Sequence, residues 1–317
     1  MGLDLSGILV CVRCGASLPP EASWESTGTR CAGCGAEVPV IRGIPRFVAS
    51  DAYTASFSFE WNRHKKTQLD DTTSRESEET FRAKTGLSPE EVAGRFILDV
   101  GCGMGRFADV VSRWGGRVIG IDLSLAVEAA RANLGGRDNV RILQADLFHL
   151  PFRPGTFDIV YSLGVLHHTP DCEKAFRQLV PFVRPGGRLC VWVYGAMGPW
   201  ERFARLYRRV TVRMPRRLLH ALCHLAIPWY HVCRLPLIGP LLWIIFPISR
   251  HPNPDWRVLD TFDWYSPQYQ SLHTFPEVYR WFRSEGLVDI TLLDFPVALA
   301  GTRPSPGARP GPSCERG

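Results

Sequence analysis

Short apolar runs alternate with helical patterns through the middle of the chain. The runs predict strands over 97–100, 117–122, 140–146, 157–162 and 187–194. The stretches between them predict helices over 105–114, 124–134 and 171–183. Strands that alternate with helices favour an α/β fold, a parallel sheet with helices on both faces. Ligands bind such a sheet at the carboxyl ends of its strands.

Three glycines at alternate positions follow the first predicted strand: Gly101, Gly103 and Gly105. Glycine lets the strand turn sharply and lets a ligand approach the backbone. A dinucleotide-binding loop has the spacing G-x-G-x-x-G, and Arg106 occupies its last position here. The loop therefore favours a nucleoside cofactor without a pyrophosphate, although an ordinary tight turn would also explain the glycines alone.

Acidic residues lie at the ends of three predicted strands, at Asp99, Asp122 and Asp146. In Rossmann-like folds an acid at the end of the second strand accepts hydrogen bonds from ribose hydroxyls. Any one of these acids could instead cap a helix. Their order and separation together favour a cofactor site.

The glycine loop with its three acids resembles the class I S-adenosylmethionine-dependent methyltransferases, type 11 group, over about residues 96–195. The resemblance continues at 273–301 and implies a Rossmann-like sheet of seven strands. Its last part would be a helix over 275–285 and strands over 288–293 and 296–301. The implied cofactor-binding residues are Asp99, Gly101, Cys102, Gly103, Gly105, Asp122, Leu123, Asp146, Leu147 and Leu163.

Two C-x2-C pairs near the N-terminus, Cys11 with Cys14 and Cys31 with Cys34, are separated by sixteen residues. Four thiolates suit a closed, tetrahedral, structural Zn²⁺ site, and a module of this size needs such a staple. Disulfides, redox pairs or an iron site are the alternatives. The segment 37–47 resembles the zinc-ribbon end of the small activator proteins of tRNA methyltransferases.

An unusual insertion, residues 196–262, follows the fifth predicted strand. It begins with an arginine-rich segment and continues with two apolar blocks, over 218–233 and 235–249. The second block is too short for a membrane-spanning helix. Three interpretations stay open for 196–250: a packed helical subdomain, a roof over an acceptor, and a peripheral contact with a membrane surface.

Composition adds little about partners. The net charge is +6, with 33 arginines and four lysines among the basic residues, a weak indication of nucleic-acid binding. No charged segment followed by an apolar run begins the sequence, so a cytoplasmic location is expected, with membrane association left open. The ten cysteines do not indicate a disulfide framework.

His167 and His168 follow the fourth predicted strand, where the resembling family lines its active site. A histidine can accept a proton near neutral pH, so these two are the candidate general bases. Tyr53, Tyr194, Tyr265 and His273 are weaker candidates.

The sequence predicts a methyltransferase that uses S-adenosylmethionine and acts on a small-molecule or lipid-like acceptor. One alternative is an rRNA or tRNA methyltransferase that uses the ribbon and the arginine-rich segment, with the arginines binding phosphates. The other is a non-catalytic scaffold that binds S-adenosylmethionine. No oligomeric state is implied. The predicted division is a ribbon (1–50), a helical lid (51–95), the core (96–195), the insertion (196–262), the end of the core (263–301) and a disordered tail (302–317).

Overall fold

The computed structural model describes residues 3–48, 54–64, 66–70, 74–196, 198–305 and 307. The strands are β1 (Gly28–Arg30), β2 (Glu37–Ile41), β3 (Ile44–Pro45), β4 (Phe96–Val100), β5 (Arg117–Asp122), β6 (Val140–Gln144), β7 (Phe157–Leu163), β8 (Val183–Trp192), β9 (Val288–Leu292) and β10 (Ala298–Thr302). The helices are α1 (Ala55–Arg63), α2 (Glu76–Thr85), α3 (Pro89–Val92), α4 (Arg106–Arg113), α5 (Ala126–Leu134), α6 (Cys172–Leu179), α7 (Trp200–Thr211), α8 (Arg216–Cys223), α9 (Ala226–Val232), α10 (Gly239–Ile245), α11 (Pro254–Tyr265) and α12 (Phe275–Ser284).

The main sheet has seven strands in the order β6-β5-β4-β7-β8-β10-β9. Strands β4 to β8 run parallel, and β10 is antiparallel to both β8 and β9. This confirms the predicted Rossmann-like sheet. Because the strand order reverses on either side of β4, a crevice opens at the carboxyl ends of β4 and its neighbours.

The predicted helix over 171–183 is shorter in the structure. The Asp171 side chain caps α6 by accepting a hydrogen bond from the Lys174 amide at 2.9 Å. Pro181 has no amide hydrogen to continue the helix, and the chain passes through a 3₁₀ turn into β8. This strand begins at Val183, four residues before the predicted start, and its pairing with β7 shifts register between Phe157 and Ile159.

The N-terminal module packs against the outer edge of the main sheet. The Phe47 amide donates to the Gln144 carbonyl at 2.8 Å, and the buried Arg46 guanidinium donates to the Gln144 side chain at 2.7 Å. A bridge between Leu9 and Phe152 adds a second attachment. These contacts cover β6, whose edge would otherwise present unpaired backbone groups.

The insertion is helical and packs on α11. Its inner face forms an apolar cluster of Ala204, Leu219, Cys223, Val258, Phe262 and Tyr265. The helix α11 runs without a break across the predicted boundary at residue 262. No helix within the described residues is long and apolar enough to cross a membrane.

The predicted tail is largely untested. Thr302 ends β10, and Arg303 is hydrogen-bonded to the carbonyl oxygens of Pro181 and Val183. Residues 306 and 308–317 lie outside the described residues.

Candidate active site and metal centre

The glycine loop has a backbone that only glycine adopts without strain. Gly101 has φ of +80°, and a Cβ there would lie 2.3 Å from Val165 Cγ2. Gly105 has φ of +92°, and a Cβ there would lie 2.6 Å from Leu134 Cδ1. The positive φ angles and the close neighbours both exclude larger residues. The loop thus presents its backbone directly to the crevice.

Asp122 ties the end of β5 to the glycine loop. Its Oδ2 accepts a hydrogen bond from the Gly103 amide at 2.9 Å. Its Oδ1 accepts from the Ser124 amide and hydroxyl at 2.8 and 2.6 Å. A carboxylate offers about four acceptor positions, so one position on Oδ2 remains for a ligand hydroxyl. Burial raises the pKa of Asp122, and the bonds from Ser124 and Gly103 oppose that shift.

Asp146 lies at the rim of the same crevice. It accepts a hydrogen bond from the Phe148 amide at 3.0 Å and pairs with the His149 ring at 3.0 Å. It therefore organises the turn after β6 while its residue lines the cavity beside Leu147.

Asp99 and Gly105, both predicted to bind the cofactor, do not line the cavity in the described part of the chain. Asp99 is 3% exposed and lies beneath the loop. Burial raises the pKa of Asp99 to about 8, and a hydrogen bond from the backbone at Ala108 opposes the shift. The carboxyl group is therefore largely protonated at neutral pH.

The Asp99→Asn variant is expected to reduce the pH dependence of stability. A folded-state pKa above the usual 3.8 means that the folded protein keeps a proton that the unfolded chain releases. The free energy of unfolding then falls as the pH rises from about 4 to about 8. Asparagine removes this loss, which is on the order of a few kcal/mol. Denaturant unfolding at both pH values measures it, and an unchanged slope in the variant would contradict the assignment.

One cavity of about 830 Å³ runs from the glycine loop to the lid and the insertion. Such a volume suits a small-molecule ligand. At the cofactor end its walls include Gly101, Cys102, Gly103, Asp122, Leu123, Asp146, Leu147 and Leu163. At the other end, called the acceptor end below, they include Phe57, Glu60, His168, Tyr194, Trp200, Arg205, Asp260 and Asp263.

His168 lines the acceptor end and has a defined neutral form. Its Nδ1 lies 3.1 Å from the Tyr269 carbonyl, which can only accept, so Nδ1 carries the hydrogen. The lone pair of a neutral ring is then on Nε2, which is buried without a hydrogen-bond partner in the described part of the chain. Asp263 Oδ1 lies 3.9 Å from Nε2. Burial lowers the pKa of His168, and Asp263 opposes the shift.

His167 has a different role. Its Nδ1 accepts a hydrogen bond from the Tyr194 amide at 3.3 Å, and its ring stacks on that of Tyr194 at 3.8 Å. The lone pair is therefore occupied, and the residue is not among those that line the cavity. Burial lowers the pKa of His167 well below its usual range. The structure thus places only His168, of the two candidate bases, where it can meet an acceptor.

The weaker candidate bases also differ in whether they line the cavity. Tyr194 lines the acceptor end, and its hydroxyl donates to Asp263 Oδ2. Tyr265 donates to the Pro247 carbonyl at 2.7 Å, and His273 is held between Ser271 and Glu277. Neither of these two lines the cavity, and Tyr53 lies outside the described residues.

A carboxyl cluster in the cavity comes from two distant parts of the chain: Glu60 from α1, and Asp260 and Asp263 from α11. Glu60 is fully buried, and neither carboxyl oxygen has a hydrogen-bond partner within the described residues. Burial and the two aspartates raise the pKa of Glu60 well above its usual range. Burial raises the pKa of Asp260 to about 6. The Glu60 carboxyl therefore holds its proton to a higher pH than an exposed glutamate does.

Two cationic side chains face the same cavity. The Lys84 ammonium lies 3.2 Å from the ring centroid of Trp192. Burial and the charge of Arg106 lower the pKa of Lys84 well below its usual range. Arg106 donates to the Ser77 hydroxyl at 2.9 Å, and burial lowers its pKa to about 10. The charge of Asp260 raises the pKa of both groups and so opposes the effect of burial.

The four N-terminal cysteines converge as predicted. The Sγ atoms of Cys11, Cys14, Cys31 and Cys34 lie within 4.8 Å of one another, and two of the pairs are 3.6 Å apart. A disulfide needs about 2 Å, whereas sulfurs around a tetrahedral zinc lie about 3.8 Å apart. The donor set and its spacing therefore fit a four-thiolate metal site.

Comparisons with known proteins agree with this geometry. Residues 98–191 match the family model described as a methyltransferase domain. The ubiquinone biosynthesis O-methyltransferase of Albidiferax ferrireducens is 38% identical over 113 residues, which cover 32% of this chain and 41% of that protein. Residues 98–191 form a methyltransferase domain.

Two further relatives are similar to part of this chain. The chloroplastic tocopherol O-methyltransferase of Arabidopsis thaliana is 34% identical over 158 residues, 44% of this chain and 43% of that protein. The demethylmenaquinone methyltransferase of Thermobifida fusca is 32% identical over 117 residues, 36% of this chain and 50% of that protein. The chain therefore spans about half the length of the curated relatives it matches.

Several residues that line the cavity were not predicted from the sequence. They are Glu60, Trp61, Lys84, Arg106, Trp192, Asp260 and Asp263. Trp61 lies against the glycine loop, with its Nε1 3.4 Å from the place of a Cβ on Gly103. Glu60, Trp61 and Lys84 lie within the predicted helical lid, residues 51–95, which was the signal that the sequence offered for them.

Proposed function

We propose that this chain transfers a methyl group from S-adenosylmethionine to a hydroxyl group of a small, lipid-like acceptor. One observation carries the proposal: the glycine loop and His168, whose Nε2 has no hydrogen-bond partner among the described residues, line the same cavity. The relatives named for ubiquinone, tocopherol and menaquinone chemistry support a lipid-like acceptor.

The cofactor end fits S-adenosylmethionine. The remaining acceptor position of Asp122 suits a ribose hydroxyl, Asp146 and Leu147 suit the adenine, and the exposed backbone of Gly101 and Gly103 suits the amino-acid part. When bound, S-adenosylmethionine supplies an electrophilic methyl group. The protein's part is to hold both partners in line and to exclude water, which the buried aromatic walls do.

His168 would act as the general base. Its Nε2 takes the proton of the acceptor hydroxyl, and the negative charge of Asp263 stabilises the imidazolium that results. The Tyr269 carbonyl accepts from Nδ1, which fixes the orientation of the ring and leaves the lone pair on Nε2. The Glu60 carboxyl, which has no hydrogen-bond partner among the described residues, can form a hydrogen bond with the acceptor hydroxyl.

The test is release of S-adenosylhomocysteine by the purified chain. We expect release when a membrane-lipid extract is added and little release with cellular RNA or with neither. Release with RNA alone would favour the nucleic-acid alternative. Tight S-adenosylmethionine binding with no release on any extract would favour a scaffold.

We also propose that the four cysteines hold a structural Zn²⁺. All four positions of a tetrahedral ion would be filled by protein, so the site has no place for a substrate. Its effect would be to stabilise the ribbon that covers β6. We keep the predicted domain division as part of this proposal, with α11 spanning its boundary at residue 262.

The Cys31→Ser variant is expected to lose bound zinc and to unfold at a temperature roughly 5–10 °C lower, because the ribbon loses the metal ion that holds its two cysteine pairs together. Metal analysis of the purified protein and thermal unfolding measure both effects. Cys233→Ser, outside the cluster, is the control and should match the wild type. A Cys31→Ser protein with full zinc content would contradict the site.

A further inference from the structure

Exposed apolar side chains are concentrated in the insertion. Of the fourteen large apolar residues exposed among the described residues, ten lie between 206 and 246, and Leu237 is 96% exposed. They are Leu206, Val210, Leu218, Leu222, Leu225, Leu235, Leu237, Ile238, Leu241 and Phe246. They are separate from the apolar cluster on α11, so the insertion has a packed inner face and an apolar outer face. Apolar exposure on this scale marks an interaction surface.

The same segment carries an unbalanced positive charge. Residues 202–254 contain nine arginines and no acidic residue, a charge of +9, whereas the whole chain carries +6 and the remainder therefore −3. Eight are exposed: Arg202, Arg205, Arg209, Arg213, Arg216, Arg217, Arg234 and Arg250. None of the ion pairs formed within the described residues involves them.

Apolar and basic residues share one face of α7 and its extension. Arg202, Leu206, Arg209 and Arg213 follow one another at three- or four-residue spacing and are all exposed, so they lie on the same side of the helix. Val210, four residues after Leu206, is also exposed. Exposed apolar side chains beside basic ones are typical of helices that lie in the interface of a membrane.

The charge and the exposed apolar side chains together indicate which kind of partner binds this outer face. We infer that this outer face, residues 202–250, docks on an anionic lipid bilayer surface. The arginines would meet the headgroups, and the leucines would enter the headgroup–acyl boundary. A nucleic acid offers the charge but no apolar layer for ten exposed side chains. A second copy offers the apolar layer, but two surfaces of +9 repel each other.

The surface adjoins the mouth of the cavity. Arg205 lines the cavity and is exposed to solvent, and Leu206 beside it belongs to the docking face. Docking would therefore bring the opening to the membrane surface. This part of the inference rests on the proposed function, because it assigns a lipid-like acceptor a route from the bilayer into the cavity.

The test is flotation of the full chain with phosphatidylcholine vesicles, with and without phosphatidylglycerol. We expect binding that depends on phosphatidylglycerol and weakens with salt. The triple variant Arg213→Gln, Arg216→Gln, Arg217→Gln should bind on the order of 100-fold more weakly, about fivefold for each charge. The double variant Leu237→Glu, Leu241→Glu should bind at least about tenfold more weakly.

The matched control is Ile41→Glu with Leu292→Glu, which are exposed apolar residues outside the insertion, and it should float like the wild type. All variants should bind S-adenosylmethionine equally, which shows that they fold. A wild type that does not float would overturn the inference. The inference would also be overturned if the leucine variants float like the wild type and a labelled RNA competes with the vesicles for the wild type. A wild-type dimer that the leucine variants convert to monomers would overturn it as well. If the wild type floats with the vesicles but transfers no methyl group, only the proposed function is rejected.

Discussion

The Asp122→Ala variant is expected to bind S-adenosylmethionine on the order of 100-fold more weakly than the wild type. Alanine removes the acceptor position left for a ribose hydroxyl. It also leaves the amides of Gly103 and Ser124 without their acceptor. A hydrogen bond to a charged group contributes about 1.5–3 kcal/mol, which accounts for the predicted loss of affinity, whereas the unsatisfied amides lower the stability of the loop. Isothermal titration of the purified chain with S-adenosylmethionine measures it.

Two companion variants separate the ribose contact from loop disorder. Asp122→Asn keeps one oxygen acceptor, so its affinity should lie between those of the alanine variant and the wild type. Glu173→Ala changes an exposed acid whose pairing with Arg177 is confined to the surface of α6, and its affinity should be unchanged. Wild-type affinity in Asp122→Ala would show that the cofactor binds elsewhere.

The His168→Asn variant is expected to lower the rate of methyl transfer by about 10³-fold, within the usual contribution of a general base. The asparagine amide can still donate to the Tyr269 carbonyl in place of Nδ1, but it offers nothing in place of Nε2. Affinity for S-adenosylmethionine should be retained, because Asp122 and the glycine loop are untouched. Single-turnover transfer from labelled S-adenosylmethionine measures the chemical step.

The pH profile distinguishes a base from a packing residue. Burial lowers the pKa of His168 below the usual 6.5, so the neutral form is reached at lower pH than for an exposed histidine. The rate should therefore rise with pH only below about 6.5 and stay level above it. His231→Asn, an exposed histidine outside the cavity, should keep both rate and profile. A His168→Asn enzyme with the full wild-type rate would remove His168 from the chemistry.

Local patterns were enough to predict the sheet and its glycine loop. Strand-forming runs, the glycines at 101, 103 and 105, and Asp122 are close in sequence, and their roles depend on backbone turns that short patterns encode. Which of the acidic residues are buried was harder to predict from the sequence. Asp99 is the penultimate residue of β4; the resemblance implied that it binds the cofactor, whereas the fold buries it away from the cavity.

Long-range contacts account for most of what sequence patterns missed. Glu60 and Asp260 are 200 residues apart, and only the packing of α1 against α11 brings them into one cavity. The distinction between His167 and His168 depends on which carbonyl or amide each ring meets, which no spacing rule reveals. The attachment of Arg46 to Gln144 likewise joins two segments that the sequence presents as separate modules.

Glu60 gives the cavity a property that the family resemblance does not imply. A fully buried carboxyl group with a raised pKa, beside Asp260 and Asp263, suits an acceptor that brings a hydroxyl group. The aromatic side chains around it, Phe57 and Trp200 among them, suit the apolar body of such a molecule. The acceptor end therefore agrees with a lipid-like alcohol or phenol.

The most direct measurement of the central claim follows the label from methyl-labelled S-adenosylmethionine into a membrane-lipid extract. With the wild-type chain, we predict label in the organic phase. With His168→Asn, which should still bind S-adenosylmethionine, we predict about a thousandth of that rate. Label that enters RNA instead, or organic-phase label that His168→Asn produces as fast as the wild type, would contradict the account.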